Sequence, residues 1–206
     1  MTISEIGLLR LKPTASLEDP DIQKRLKDIK SHLSSFTGHR FSYFRQIEDP
    51  SLLYLLGQWE SLESHYKGMH GSDEWKKGVM EMSSYFEFQW MAHYDFHLDS
   101  LKPPSGDDDD DDDDSGAGVL EVHRFLMKTD SRANFDKHAQ DVSKQATGEE
   151  RNAVGGWKVD SSKDNEEYAV VLVVDDAQKR SALSERYDGL AQHAESADRH
   201  LIRKFI

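Results

Sequence analysis

Eight consecutive aspartates, Asp107–Asp114, fall almost at the middle of this 206-residue chain, inside a Pro/Ser/Gly-rich stretch from Lys102 to Gly118. A block of like charge repels itself and stays extended and solvated, so it reads as a linker. It divides the chain into a first half (1–101), a linker (102–118) and a second half (119–206). Each half has about 100 residues or slightly fewer, enough for a small domain. The charge divides the same way. Residues 1–106 carry 12 Lys/Arg against 15 Asp/Glu and residues 115–206 carry 14 against 16, so most of the net −13 belongs to the aspartates.

Near-neutral halves have no basic face to neutralise phosphates, which argues against nucleic-acid binding. The absence of cysteine excludes disulfides, thiolate nucleophiles and Cys-ligated metals. The start of the chain lacks the charged-then-apolar pattern of a signal peptide. No apolar run approaches the ~20 residues that span a bilayer. A cytoplasmic protein without a membrane partner is the expectation.

Each half carries the same order of elements. In the first, Ile3 to Leu11 has strand character. Asp19-Pro20 is a helix start, a capping carboxylate followed by proline at the first helical position. Ile22, Leu26, Ile29, Leu33 and Phe36 form one helical stripe, and Gly38 is placed to end it. His39–Ile47 and Leu52–Trp59 read as a hairpin. Ser61 caps a short helix and Ser72 a longer one carrying Trp75, Val79, Met82 and Phe86. Phe88–Leu98 is the last strand. In the second half the strands are Val119–Lys128, Trp157–Asp160, Tyr168–Val174 and His200–Ile206. One helix carries Phe135, Ala139 and Val142, and another carries Leu183, Tyr187 and Leu190. Gly155-Gly156 reads as a turn. The order is β-α-β-β-α-β twice, the ferredoxin-like order, giving an α+β class. Helices cover one face of such a sheet and leave the other bare. The two halves are therefore expected to pack sheet to sheet within one chain, a monomer acting as a pseudo-dimer for which a further homodimer is optional.

The segment Trp59-Glu60-Ser61-Leu62-Glu63-Ser64, followed by Met69-His70-Gly71-Ser72, resembles the strand-to-helix junction of antibiotic biosynthesis monooxygenase (ABM) domains, members of the dimeric α+β barrel superfamily. In the second half Val174-Asp175-Asp176-Ala177 has neither the Trp nor the His, so that half matches in order only and reads as a degenerate, structural copy. The resemblance implies an intramolecular dimeric α+β barrel. It also implies a cavity between sheet and helices for an aromatic or polyketide-like substrate, a polar side chain that removes a proton, and often no cofactor. The carbanion then meets oxygen, or rearranges as in a cyclase, isomerase or decarboxylase. A non-catalytic ligand-binding protein and a haem binder with His70 or His93 as axial ligand are the other readings.

The first half holds three of four Trp, five of seven Tyr, six of nine Phe and six of ten His, so the site is expected there. The alternative is that these rings only fill the core. Alternation along the last strand puts Phe88, Trp90, Tyr94, Phe96 and Leu98 on one face and Gln89, Met91, His93, Asp95 and His97 on the other. Asp95 beside His93 would orient a general base. His93, His70, Asp95 and Tyr43 are the expected catalytic residues. Trp59, Trp90, His39, Tyr85, Arg45 and His65 are the expected substrate contacts. A metal on His93, Asp95 and His97 is not expected, because residues i and i+4 of a strand stand ~13 Å apart and ligands sit ~2.1 Å from an ion. No cofactor is expected. A Gly-x-Ser-x-Gly elbow, a P-loop and a dinucleotide-binding glycine motif are all missing.

Overall fold

The computed structural model describes residues 2–69, 73–101, 118–127, 131–146, 152–160, 166–174 and 182–206. The linker, apart from Gly118, lies outside them. The first run of elements is β1 (Ile3–Leu11), α1 (Pro20–Thr37), β2 (Ser42–Gln46), β3 (Leu52–Trp59), α2 (Asp73–Met82) and β4 (Phe86–Tyr94). The second is β5 (Val119–Met127), α3 (Arg132–Ala146), β6 (Ala153–Trp157), β7 (Glu167–Val174), α4 (Ala182–Asp188) and β8 (Ala194–Lys204). The βαββαβ order and the α+β class are as the sequence implies.

Two compact units contain these elements. Unit 1 is Met1–His93 with Lys204–Ile206, and unit 2 is Tyr94–Arg203. The strand order is β4-β1-β3-β2 in the first run and β8-β5-β7-β6 in the second, the same relative order. In unit 1, β1 runs antiparallel to β3, with Ile3 opposite Trp59 and Glu5 opposite Gly57.

Helix α1 forms where the sequence marks it. The Asp19 carboxylate accepts a hydrogen bond from the Asp21 N–H at 2.9 Å, and Pro20 opens the first turn. Gly38 ends the helix in the left-handed region at φ 72°, and its N–H is bonded to the Ser34 carbonyl. Ile22, Leu26 and Leu33 are buried, each contributing about 1.5–3 kcal/mol of apolar burial. Phe36, expected on the same stripe, lies in the last turn of the helix and is 46% exposed. The core of unit 1 is Leu17, Ile22, Leu26, Tyr43, Leu53, Met82 and Phe86. A second cluster of Ile3, Leu33, Phe41 and Trp59 lies beside the site. Phe205 and Ile206 pack on the first cluster, and the Phe205 N–H donates to the Tyr43 carbonyl at 2.8 Å.

Unit 2 is built on Phe125, Phe135, Val170, Leu172, Tyr187 and Leu190. Two expectations change here. Strand β6 occupies Ala153–Trp157 rather than Trp157–Asp160, so Gly155-Gly156 is strand and not turn. A Cβ on Gly156 would stand 2.2 Å from Asp95 Oδ1. The glycine therefore serves close approach, as glycines inside strands often do. Strand β8 begins at Ala194, six residues before the expected His200.

Buried polar groups fasten unit 2. Arg124 grips Glu167 with two hydrogen bonds, Nε to Oε1 at 2.7 Å and Nη2 to Oε2 at 3.0 Å. The Tyr94 hydroxyl donates to the same carboxylate. Burial, reinforced by the negative charge of Glu167, raises the Tyr94 phenol well above its ordinary value, so it stays a donor. Nearby, buried Glu121 accepts from Ser184 Oγ at 2.9 Å and lies 3.1 Å from His123 Nε2 and 3.3 Å from Arg199 Nη1. Burial pushes the Glu121 carboxyl up. The hydrogen bonds of His123 and Ser184 and the charges of His123 and Arg199 outweigh it, so the net shift is downward. A depressed carboxylate contributes stability above its unfolded value of roughly 4.3, and that contribution is lost as pH falls through the lower folded value. Glu121→Gln should therefore narrow the stability gap between pH 7 and pH 3 in thermal melts. An unchanged gap would remove Glu121 from the acid response.

No helix among the described residues is long and apolar enough to cross a membrane.

Candidate functional site

Unit 1 holds a cavity of about 610 Å³, open to solvent past Val79, Met80 and Phe88 and within the size range of ligand sites. Its floor comes from β1 and β3 and its walls from α1, α2 and β4. Leu9, Ile29, Leu33, Leu55, Met82 and Phe86 make it apolar. Its polar groups are few: Glu5, Tyr43, Trp59, His65, Lys76 and Ser83.

Four of the site residues meet at one end. Glu5 on β1, Trp59 at the end of β3, His65 after β3 and His93 on β4 are all buried. Trp59 Nε1 donates to Glu5 Oε2 at 2.8 Å. His65 Nδ1 and His93 Nε2 share a hydrogen bond at 2.9 Å. Glu5 Oε2 lies 3.6 Å from His65 Nε2 and 3.4 Å from His93 Nε2. A buried carboxylate is costly without donors; here the Trp59 indole N–H donates to it and two imidazole nitrogens stand within 3.6 Å. The Trp59 and His65 rings lie against one another, centroids 4.3 Å apart.

Local structure explains the convergence. Ser61 Oγ accepts from the Ser64 N–H at 3.1 Å and starts the turn that follows β3. That turn is π-helical over Ser64–Met69, a rare geometry concentrated at functional sites. It directs His65 inward and leaves Tyr66 44% exposed. Glu5 faces in because β1 is pinned to β3 in a register that sets Glu5 opposite Gly57. A Cβ on Gly57 would stand 2.1 Å from the Phe41 ring. The bare glycine admits Phe41, which then packs edge-on against Trp59 at 5.6 Å between centroids.

Of the expected residues, the structure brings together His93, His65 and Trp59, with Tyr43 on the same cavity wall. Tyr43 is fully buried, and burial plus the Glu5 charge lift its phenol well above the ordinary value, so it can act only as a neutral donor. Asp95 does not join His93. It lies in unit 2, where its side chain accepts the Trp157 N–H and its own N–H donates to the Trp157 carbonyl at 3.0 Å. Arg45 is tied to the Pro50 carbonyl at 3.0 Å and lies 3.8 Å from Glu18. Trp90 packs edge-on against Tyr54, Tyr85 against the apolar core of unit 1, and His39 lies 3.4 Å from the Gln58 amide. None of these four lines the cavity. His70 lies outside the described residues. Simple alternation also fails along β4. Phe86, Phe88 and Met91 all line the cavity, so the facing parity switches between Phe88 and Met91. Met91 and His93 keep the face that alternation gives them, and Phe86 and Phe88 are the residues that depart from it.

Glu5 is the residue the sequence reading misses. Its signal is an acidic side chain inside the apolar run Ile3-Ser4-Glu5-Ile6.

No model of a known protein family matches the chain, and no characterised protein matches it in sequence. Solved structures do match. A putative monooxygenase from Fusobacterium nucleatum subsp. nucleatum aligns with a TM-score of 0.68 at 9% identity, over 100% of this chain and 93% of its own. An anthrone oxidase-like protein aligns at 0.62 and 7% identity, over 100% and 92%. A haem-binding protein from Thermus thermophilus aligns at 0.58 and 10% identity, over 100% and 91%. Chlorite dismutases share the likeness. The expectation of no cofactor is corrected by this set, since a haem-binding protein carries the same fold over the whole chain. Identities this low speak for the fold alone, and on that ground the chain has the dimeric α+β barrel fold shared by these monooxygenase-type and chlorite dismutase-type proteins.

Proposed function

We propose that the chain is an oxidoreductase of the ABM type that oxygenates a flat, hydroxylated, aromatic or polyketide-like molecule in the unit 1 cavity. The observation that carries the reading is an imidazole, His65, on the wall of an otherwise apolar cavity and backed by buried His93 and Glu5. Apolar walls favour a ring system, and the few polar groups set its orientation. His65 takes a proton from an acidic C–H of the substrate. The contact with His93 holds its ring, and Glu5 stabilises the positive charge that forms. Tyr43 donates to the substrate oxygen that gains charge on deprotonation. The carbanion adds dioxygen. Loss of water from the hydroperoxide leaves a ketone, so that CH₂ and O₂ become C=O and H₂O.

The haem-binding neighbour supports a second reading at the same place. The room and the apolar lining suit a macrocycle. His65 would hold the iron with its ring oriented by His93, and Lys76 would face a carboxylate of the macrocycle. Haem when bound supplies activation of dioxygen or peroxide.

Oxygen uptake with an anthrone-class compound tests the first reading. The expected result is stoichiometric uptake with a ketone product. Conversion without uptake would turn the reading to a cyclase or isomerase. Absence of both binding, read by quenching of Trp59 and Trp75, and turnover across a panel of such compounds would end it.

A further inference from the structure

We infer that Glu5, His65 and His93 form a binding site for one divalent transition-metal ion of the Zn²⁺, Fe²⁺ or Co²⁺ class. Two imidazoles and one carboxylate are the donor set these ions take. One ligand atom from each residue lies within 4.8 Å of the other two. Spacing gives a sharper criterion. Donors about 2.1 Å from one ion stand roughly 3.0 Å apart at right angles and roughly 3.4 Å apart at tetrahedral angles. His65 Nδ1 and His93 Nε2 are 2.9 Å apart, and His93 Nε2 and Glu5 Oε2 are 3.4 Å apart. Both separations fall at those values, and the third, between Glu5 and His65, is within 4.8 Å, so an ion would draw those two side chains together.

The surroundings fit as well. Trp59 Nε1 holds the same carboxylate oxygen at 2.8 Å and leaves that oxygen a second lone pair for an ion. An outer partner that orients a ligand in this way is usual around metals. Glu5 and His93 sit on adjacent strands, which keeps their spacing rigid. Three protein donors leave further coordination positions open, the arrangement of catalytic rather than structural ions. Glu5 and His65 both line the cavity, so those positions face the place where a ligand would lie. A divalent ion on one carboxylate leaves a net positive charge there, suited to an enolate or phenolate oxygen. The inference goes beyond the oxygenation reading and needs only the donor geometry.

Tag-free full-length chain, stripped with chelator, is titrated with Co²⁺. The expected result is saturable binding of one ion per chain with a d–d absorption band, displacement by Zn²⁺, and release of protons on binding. His93→Gln should weaken binding by about 100-fold or more, while His138→Gln should leave it unchanged. The His138 variant is the control because its ring stacks on His193 at 4.1 Å, a pair able to take an adventitious ion. No saturable binding by the wild-type chain overturns the inference, as does loss of the band in His138→Gln with retention in His93→Gln. If His93→Gln fails to fold, imidazole ¹⁵N shifts of the wild type with Zn²⁺ decide. Shifts at His65 and His93 support the site, and shifts confined to other histidines overturn it. Haemin giving a Soret band in a chain that takes no Co²⁺ overturns the ion and supports the haem reading. Oxygen uptake is read separately, so failure of the ion site and failure of the oxygenase reading are distinguishable.

Discussion

His65→Gln should lower kcat for an anthrone-class substrate by about 10²–10⁴, the usual worth of a positioned general base, with KM changed by less than about threefold. Glutamine keeps much of the shape and can still hydrogen-bond His93, but it cannot accept a proton near neutral pH. The apolar walls, Leu33, Leu55 and Met82 among them, stay in place, so ground-state binding should survive. Stopped-flow or oxygen-electrode kinetics on folded variant separate the two parameters. A rise in KM with kcat intact would make His65 a substrate contact rather than the base.

The largest effect on stability is expected in unit 2. Glu167→Ala should cost about 3 kcal/mol, the lower end for breaking a buried ion pair. The variant strands Arg124, whose guanidinium is held mainly by Glu167, and removes the acceptor of the Tyr94 hydroxyl. Burial alone would lower the Arg124 pKa, yet the bonds to Glu167 keep it raised and the group charged. Asp198 stands 3.4 Å from Arg124 Nη1 and offsets part of the loss, which places the cost at the lower end. Urea titration followed by circular dichroism should show the midpoint fall. At this chain length a loss of that size also lowers Tm by roughly 6–12 °C. A change under about 1 kcal/mol would show the pair to be replaceable by water.

Much of the fold is legible in the sequence because its signals are local. Asp19-Pro20 and Gly38 bracket α1, and β1 and β3 have the expected bounds, since capping, proline and apolar runs act over a few residues. What escapes the sequence depends on distant partners. Glu5 is paired with Trp59, 54 residues on, and only the sheet register and the π-helical turn bring His65 and His93 to it. Gly155-Gly156 looks like a turn because the demand for a bare backbone comes from Asp95, far away in sequence. Asp95 and His93 look like a dyad because strand alternation is assumed to continue, whereas β4 ends at Tyr94 and the Asp95 carboxylate turns to the Trp157 N–H. Arg45 and His39 share strand or near-strand positions with Tyr43, yet local partners hold them. The second half, read as scaffold, also buries a polar group, Glu121 with His123 and Ser184.

A flat ligand is expected in the unit 1 cavity against the Glu5–His65–His93 cluster. Imidazole ¹⁵N spectra of the full chain, titrated with an anthrone-class ligand, test it most directly. Saturable shifts are expected at His65 and His93, with His123, His138 and His193 of unit 2 unmoved. Saturable binding that leaves His65 and His93 unchanged, or that moves only the unit 2 histidines, would contradict it.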